Sequence, residues 1–223
     1  MKKLLKILNT SLFIFTFTMF VTGCSNEKVE VTKEEYTLSS DNVESINISV
    51  KDRDIEVIPT NNDEIKITYY KSDKEFYDIK LTDDKALSMK SASDKEISDY
   101  LGMQNNSIKS ITLEIPYFLQ SDLIIGTTNN DITLPEMEIT GEISININNG
   151  NIILENILGK NTITLSTKNG DISGSLKGNY EDFEIHSNPH KGESNLPKSK
   201  TDGDKVLDVS TNNGDIDILF KQH

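Results

Sequence analysis

A four-residue motif recurs along the chain and constrains the fold more than any other feature. It runs Asn-Asn or Asn-Gly, then Asp or Asn, then Ile, and its copies begin at Asn129, Asn149, Asn169 and Asn213, with a variant at Asp52. Glycine and asparagine tolerate positive φ, so each copy predicts a corner in the backbone. The predicted structural corners comprise Asn129, Asn130, Asp131, Asn149, Gly150, Asn151, Asn169, Gly170, Asp171, Asn213, Gly214 and Asp215.

Apolar residues keep a constant phase with these corners. The first apolar residue of each unit lies seven residues before the second position of the motif. A second apolar residue lies five residues before that position. The first set consists of Ile46, Leu123, Ile143, Ile163 and Leu207. Alternation of apolar and polar residues is typical of half-buried strands. Each unit therefore predicts a short strand, a corner and a second short strand that begins at the Ile of the motif.

The repeat period points to stacked coils. From Leu123 the phase recurs every 20 residues, up to a copy at Phe183 that lacks a corner, and the next step, to Leu207, is 24 residues. We interpret that longer step as an insertion within residues 189–203. One unit cannot bury its apolar face alone, but stacked units share a continuous core. We therefore expect an all-β fold, a β-solenoid of short parallel strands with coils of about 20 residues.

An antiparallel β-sandwich is the alternative, because Asn-Gly is also a common two-residue hairpin turn. The solenoid is favoured because it places Asn129, Asn149 and Asn169 in one column, where side-chain amides can hydrogen-bond to one another. In the neighbouring column, an asparagine would separate the like charges of Asp131 and Asp171.

The first segment is typical of an export signal. Residues 1–23 combine three lysines with an apolar stretch that is too short for a comfortable membrane span. The only cysteine, Cys24, follows a glycine, which resembles the bacterial lipobox. We expect a lipoprotein signal peptide over residues 1–23, acylation of Cys24, and a polar tether over residues 24–40. A single cysteine also excludes an internal disulfide framework.

Charge and composition exclude several functions. The formal net charge of −13 is wrong for a nucleic-acid-binding protein, which needs a basic stripe. We expect neither a cofactor nor a metal, because each Asn/Asp corner offers fewer charges than a calcium site needs. No catalytic residues can be singled out. The only arginine, Arg53, lies outside the regular coils, which argues against a lyase-like active site, and His186 and His190 match no metal motif.

We interpret residues 41–223 as one domain, with a divergent part over 41–110 and regular repeats over 111–220. Only three residues follow Phe220, which predicts an uncovered edge on the last coil. A second copy could pair with that edge, so an edge-mediated dimer is expected.

The chain resembles the bacterial DUF4097 family of adhesin-like domains. The likeness rests on Ile111–Pro116, on the Asn-Gly-Asp-Ile corners, and on His186–Pro189 with the later Gly192, and it spans roughly residues 42–220. It implies a β-helix-like stack on the cell surface and no catalytic residues.

These observations favour a non-catalytic lipoprotein, an adhesin-like module anchored in the membrane through its N-terminal lipid on the extracytoplasmic side. Its ligand would be a protein or glycan of the cell envelope or beyond it. One alternative is a regulatory component that senses envelope stress or antimicrobials. A polysaccharide-active enzyme is a third hypothesis, since some β-helices carry such activity.

Overall fold

The computed structural model describes residues 31–73, 75–93 and 110–222. Their regular structure is almost entirely β. The strands are β1 (Thr32–Ser39), β2 (Ser45–Ser49), β3 (Asp54–Thr60), β4 (Glu64–Lys71), β5 (Glu75–Leu81), β6 (Ala86–Ser93), β7 (Ser110–Pro116), β8 (Phe118–Leu119), β9 (Asp122–Asn129), β10 (Ile132–Leu134), β11 (Glu138–Ile139), β12 (Ile143–Asn149), β13 (Ile152–Gly159), β14 (Ile163–Asn169), β15 (Ile172–Lys177), β16 (Phe183–Pro189), β17 (Ser199–Lys200), β18 (Lys205–Asn213) and β19 (Ile216–Lys221). Single-turn 3₁₀ helices at Ser40–Asn42 and Tyr180–Asp182 precede β2 and β16. The predicted signal peptide and Cys24 lie outside the described residues.

The strands form two sheets that face each other across one core. The first sheet runs in space β1-β4-β7-β3-β10-β13-β15-β19, and β8 and β11 form a short third face beside β13. The second runs β5-β6-β2-β9-β12-β14-β18-β16-β17. Ile143 pairs in parallel with Leu123 on one side and Ile163 on the other, so successive coils are offset by 20 residues. The predicted β-solenoid is confirmed, and the antiparallel sandwich is not needed.

The core consists of columns of aliphatic side chains, one from each coil. Ile143, Ile145, Ile152 and their equivalents in neighbouring coils are at most a few per cent exposed. Because strand side chains alternate between faces, the residues between them point outward and are mostly Ser, Thr and Asn. Burying each Ile or Leu contributes about 1.5–3 kcal/mol, so the repeated columns are the main source of stability.

The order of coils at the C-terminal end corrects the sequence interpretation. Leu207 of β18 pairs with Ile163 of β14, and Ile185 of β16 pairs with the far side of Leu207. The segment that begins at Phe183 is therefore not the next coil of the stack, and the chain returns to insert β18 between β14 and β16. Both segments carry the same apolar phase, so periodicity alone could not distinguish them.

The N-terminal end has the same kind of reordering. Strands β2 and β3 pair with β9 and β10 on one side and with β6 and β7 on the other. The coil that comes first in sequence is therefore second or later in space. Each end of the solenoid thus contains a coil that is held between two others.

Antiparallel strands cover the ends of the stack. β4 pairs with β7, β5 pairs with β6, and β17 pairs with β16. The predicted uncovered edge on the last coil is corrected in part, because β16 covers β18 and residues 193–196 cover the start of β19, whereas no described strand pairs with the outer edge of residues 219–221. The Ile216 N–H donates to the Glu193 carbonyl at 2.9 Å, and the Asn195 N–H donates to the Ile216 carbonyl at 3.1 Å. The edge-mediated dimer stays a prediction.

The predicted tether is also corrected in part. Residues 32–39, which the sequence assigned to a polar tether, form β1 and pair with β4 over the whole length of both strands. Tyr36 and Leu38 pack against the core from this strand. Polar composition concealed the strand, because its outward-facing residues are charged.

Candidate functional site

The corner asparagines form a hydrogen-bonded ladder along the solenoid axis. Asn149 Nδ2 donates to Asn129 Oδ1 at 2.9 Å, and Asn169 Nδ2 donates to Asn149 Oδ1 at 2.8 Å. Asn213 continues the ladder to Asn169 at 2.6 Å, and Asn129 begins it by donating to Asp52 Oδ1 at 3.1 Å. The expected column of stacked asparagines is confirmed, and it extends over one more coil than the 20-residue spacing alone indicated.

The third position of each corner caps the backbone of the next coil. Asp131 Oδ1 accepts the N–H of Asn151 at 2.7 Å, and Asn151 Oδ1 accepts the N–H of Asp171 at 2.8 Å. Asp171 then accepts from Asp215, and Asp215 accepts from Glu193, both at 2.8 Å. The expected separation of aspartates does not extend along the column, since the inserted coil makes Asp171 and Asp215 neighbours. A hydrogen bond from a backbone N–H to each carboxylate compensates for this proximity.

Glycine fills the second corner position because neighbouring coils approach closely there. Gly150 and Gly170 have φ of +140° and +149°. A Cβ on Gly170 would lie 2.0 Å from the Gly150 carbonyl oxygen. The buried hydroxyls of Thr167 and Thr211 donate to the Gly150 and Gly170 carbonyls, both at 3.0 Å. The polar groups of the corners are thus used mainly to join one coil to the next.

The ladder ends at an open pocket. His190, Lys191, Asn212 and Asn213 line a depression of about 250 Å³. All four residues are exposed. Within the described part of the chain, Asn213 Oδ1 accepts no hydrogen bond, whereas Oδ1 of each earlier asparagine accepts one from the next rung. The pocket therefore presents an amide oxygen whose bonding capacity is unused.

The two histidines named from the sequence lie in different surroundings. His186 points outward from β16, with Nε2 2.9 Å from Glu184 Oε1. His190 follows the end of β16 and lines the pocket. Among residues 31–73, 75–93 and 110–222, no three His, Cys, Asp or Glu side chains converge in a way that could hold a metal ion.

A buried cluster around Arg53 closes the opposite end of the solenoid. Arg53 Nε donates to Tyr77 Oη at 2.5 Å, and its guanidinium lies 3.2 Å from Glu75 Oε1. Tyr77 meets Tyr69 edge to face at 5.3 Å, and Tyr69 Oη donates to Glu34 Oε2 at 3.1 Å. The cluster joins β4 of the first sheet to β5 of the second.

Sequence reasoning missed the role of Arg53 and used it only as an argument against a lyase. The available signal was its position, because Arg53 replaces the Asn or Gly found second in the other corners. Burial raises the pKa of the Tyr69 and Tyr77 phenols, and the Glu34 carboxylate adds to the effect at Tyr69. These groups hold the end of the fold together and face away from solvent.

The fold and the corners agree with comparisons to known proteins. The model of the Toastrack DUF4097 family matches residues 43–191, from the start of the solenoid to the pocket. The chain belongs to the Toastrack DUF4097 family. No curated protein matches it.

This chain shares its fold with a solved structure. It is similar to a candidate cell adhesion protein from Clostridium sporogenes, with a TM-score of 0.61 and 12% sequence identity, over 86% of this chain and 100% of that one. It also matches a candidate adhesin from Bacteroides fragilis at 12% identity, over 85% and 97% of the two chains, with a TM-score of only 0.30. At 12% identity, the likeness to the first of these structures establishes the fold alone. Within the described residues, no helix has the length and apolar character needed to cross a membrane.

Proposed function

We propose that this Toastrack protein is a non-catalytic, adhesin-like binding module, held on the outer face of the cell membrane by a lipid on Cys24. The observation that carries the proposal is the use of the corner side chains, since Asp131, Asn151 and Asp171 are engaged in joining one coil to the next. The outward positions of neighbouring strands also present an ordered row of small polar side chains, Asn146, Ser166 and Ser210, which suits binding.

The arrangement of ionisable groups supports a role without catalysis. Arg53 is buried among Tyr77 and Glu75, away from solvent. His186 is paired with the neighbouring Glu184 on a sheet face. In the described part of the chain, no nucleophile is in hydrogen-bond contact with a histidine, as acyl-transfer chemistry would need.

The membrane attachment rests on the N-terminal sequence and on the adhesin-like relatives. Acylation of Cys24 would add about 0.8 kcal/mol per buried CH₂, which is enough for stable anchoring when two or more chains are attached. The net negative charge would hold the domain away from an anionic membrane surface. The solenoid would therefore project from the membrane with its polar faces accessible.

Cell fractionation with a Cys24→Ser variant tests the attachment. The natural protein is expected in the membrane fraction, labelled by radioactive palmitate and degraded when intact cells are treated with protease. The Cys24→Ser protein should be unlabelled and released to the medium, while Ser25→Ala, at the adjacent position, should behave as the natural protein. Retention of Cys24→Ser in the membrane would contradict lipid anchoring.

Binding and catalysis are separated by a second experiment. The released Cys24→Ser protein is incubated with isolated cell-envelope material, and both retention by sedimentation and release of soluble sugar are measured. We expect retention without any release of sugar. Release of new reducing ends would replace the proposal with the enzyme hypothesis, and failure to be retained would contradict a binding role toward the envelope.

A further inference from the structure

We infer that the pocket at the end of the asparagine ladder binds the anionic group of a hydroxyl-rich polymer, such as a glycan or polyol chain that carries phosphate or carboxylate. The inference rests on the proposed binding function and names its site and ligand class. The pocket is formed by His190, Lys191, Asn212 and Asn213.

Register brings a further cation to the pocket. Thr167 and Asn169 pair with Thr211 and Asn213, so Lys168 on β14 lies opposite Asn212 on β18. His190 follows Pro189, which pairs with Thr211 from the other side. Asn212 is thus placed between Lys168 and His190, one strand spacing of about 4.8 Å from each. The inserted β18 thus separates Lys168 from His190 by two strand spacings and places the Asn212 amide between them.

These cations are available to a ligand. Lys168 and Lys191 are exposed and form no ion pair with any described residue, in contrast to Lys160, Lys177 and Lys205, which have acidic partners. In a chain with a net charge of −13, Lys168 and Lys191 are two cations on either side of β18 that a ligand can reach.

The acidic groups nearest the pocket, Glu193 and Asp215, lie two residues beyond Lys191 and Asn213, on the far side of the corner. Asp208 lies four residues before Asn212 on β18, about 13 Å away along the extended strand. Asp215 and Glu193 follow the corners and begin the other sheet, and one oxygen of Asp215 already accepts the Glu193 N–H. Asn213 Oδ1 adds a hydrogen-bond acceptor suited to a ligand hydroxyl.

The adjoining sheet face explains why the ligand should be a polymer rich in hydroxyl groups. A column of small polar side chains runs beside the pocket across four strands, in the order Asn146, Ser166, Ser210 and Asn188. The outward positions of these strands carry no Phe, Tyr or Trp. Stacking of sugar rings is therefore absent from this face, and affinity must come from hydrogen bonds and charge.

Binding of defined polymers to the released Cys24→Ser protein tests the inference. The probes are poly(glycerol phosphate), polygalacturonate and neutral dextran, measured by isothermal titration calorimetry at low and at physiological salt. We expect at least one anionic polymer to bind, dextran not to bind, and affinity to fall as salt rises. Comparison of the two anionic polymers shows whether phosphate or carboxylate is recognised.

Charge reversal locates the site. Lys168→Glu combined with Lys191→Glu should weaken binding at least tenfold, whereas Lys51→Glu combined with Lys33→Glu changes charge equally at the other end of the solenoid and should not. If the reversed variant unfolds early in a thermal melt, Lys168→Gln with Lys191→Gln replaces it. Equal binding by natural and pocket variants, binding of dextran as strong as that of the anionic polymers, or binding of neither anionic polymer would overturn the inference. If envelope material is nevertheless retained, the proposed binding function stands without this site.

Discussion

Asn213 donates its side-chain amide to Asn169 at 2.6 Å, although the two residues are 44 positions apart in the sequence. This contact continues a ladder whose earlier rungs are 20 positions apart. The coil that completes the ladder is therefore the last in the sequence and not the next.

Breaking one rung should destabilise the domain. Asn169→Asp keeps the shape but removes the Nδ2 donor to Asn149 Oδ1 and places a negative charge in the ladder. We expect a loss of about 1–3 kcal/mol in the free energy of unfolding by urea. Asn146→Asp makes the same chemical change on an exposed outer position with no side-chain hydrogen bond, and it should change stability by less than about 0.5 kcal/mol. Equal effects of the two variants would show that the ladder contributes nothing specific.

The corner glycines should not tolerate a side chain. Gly170→Ala forces a Cβ to 2.0 Å from a neighbouring carbonyl at a φ of +149°, so the backbone of two coils must move. We expect a loss of at least about 2 kcal/mol in urea unfolding. Gly126→Ala is the matched control, since its Cβ would meet nothing closer than 3.8 Å. An unchanged midpoint for Gly170→Ala would refute the close approach of the coils.

The buried arginine should be essential to the closed end. Arg53→Met removes the cation while leaving Glu75 and the Tyr77 hydroxyl largely buried, and breaking such a cluster costs about 3–5 kcal/mol. Lys80→Met breaks the exposed ion pair with Asp78 and should cost less than about 1 kcal/mol. Both are measured by urea unfolding followed by circular dichroism. Similar small losses for the two variants would mean that Arg53 is not needed to close the end.

Stability should decline in alkali through the same cluster. Burial raises the pKa of Tyr69 and Tyr77 in the folded protein, whereas the unfolded chain ionises these phenols near pH 10. The folded state then binds more protons, so the stability they contribute is fully present below pH 10 and is lost as the pH rises above it. Tyr69→Phe should flatten the decline between pH 10 and 11 in urea titrations. Tyr70→Phe, on the opposite face of β4, serves as the control, and an equal slope in both would contradict the assignment.

Removing the last coil should do more than shorten the solenoid. A chain that ends at Gly203 loses β18 and β19, which separates β14 from β16 and exposes both. We expect loss of cooperative unfolding and aggregation, measured by thermal circular dichroism and light scattering, because unpaired strand edges associate. A truncated protein that melts in one transition as a monomer would show that β16 can replace β18.

The regular coils could be predicted from the sequence because the apolar core residues and the corner residues recur with the same period of 20 residues. Ile143 and Ile163 give the apolar phase, and Asn149 and Asn169 give the corner, so two independent signals define one stack. The order of the last coils could not be predicted from phase, since Phe183 and Leu207 satisfy it equally. The corner motif contained the missing signal, because Asn213-Gly214 repeats Asn169-Gly170 and the segment after Phe183 does not.

The ends of the solenoid were less predictable. Strands β1, β4 and β5 cover the core through antiparallel pairing. Tertiary packing sets their partners, and their sequences do not follow the 20-residue repeat. The position of Arg53 in a corner was visible, but its partners Glu75 and Tyr77 lie on a strand with no repeat to align them. For the pocket, the sequence showed Lys168, His190 and Asn212 in different coils, and only the register of β18 placed Asn212 between the other two.

The inserted coil also fixes when folding can finish. A solenoid whose coils stack in sequence order can close each turn as soon as it emerges from the ribosome or from an export channel. Here β18, the strand that pairs with both β14 and β16, is available only after Leu207 has been made. The stack therefore stays open until synthesis or export is nearly complete. The last coil therefore delays closure of the stack until the end of the chain is available. We expect a chain that stops before β18 to stay open, in a form that can still be translocated or degraded.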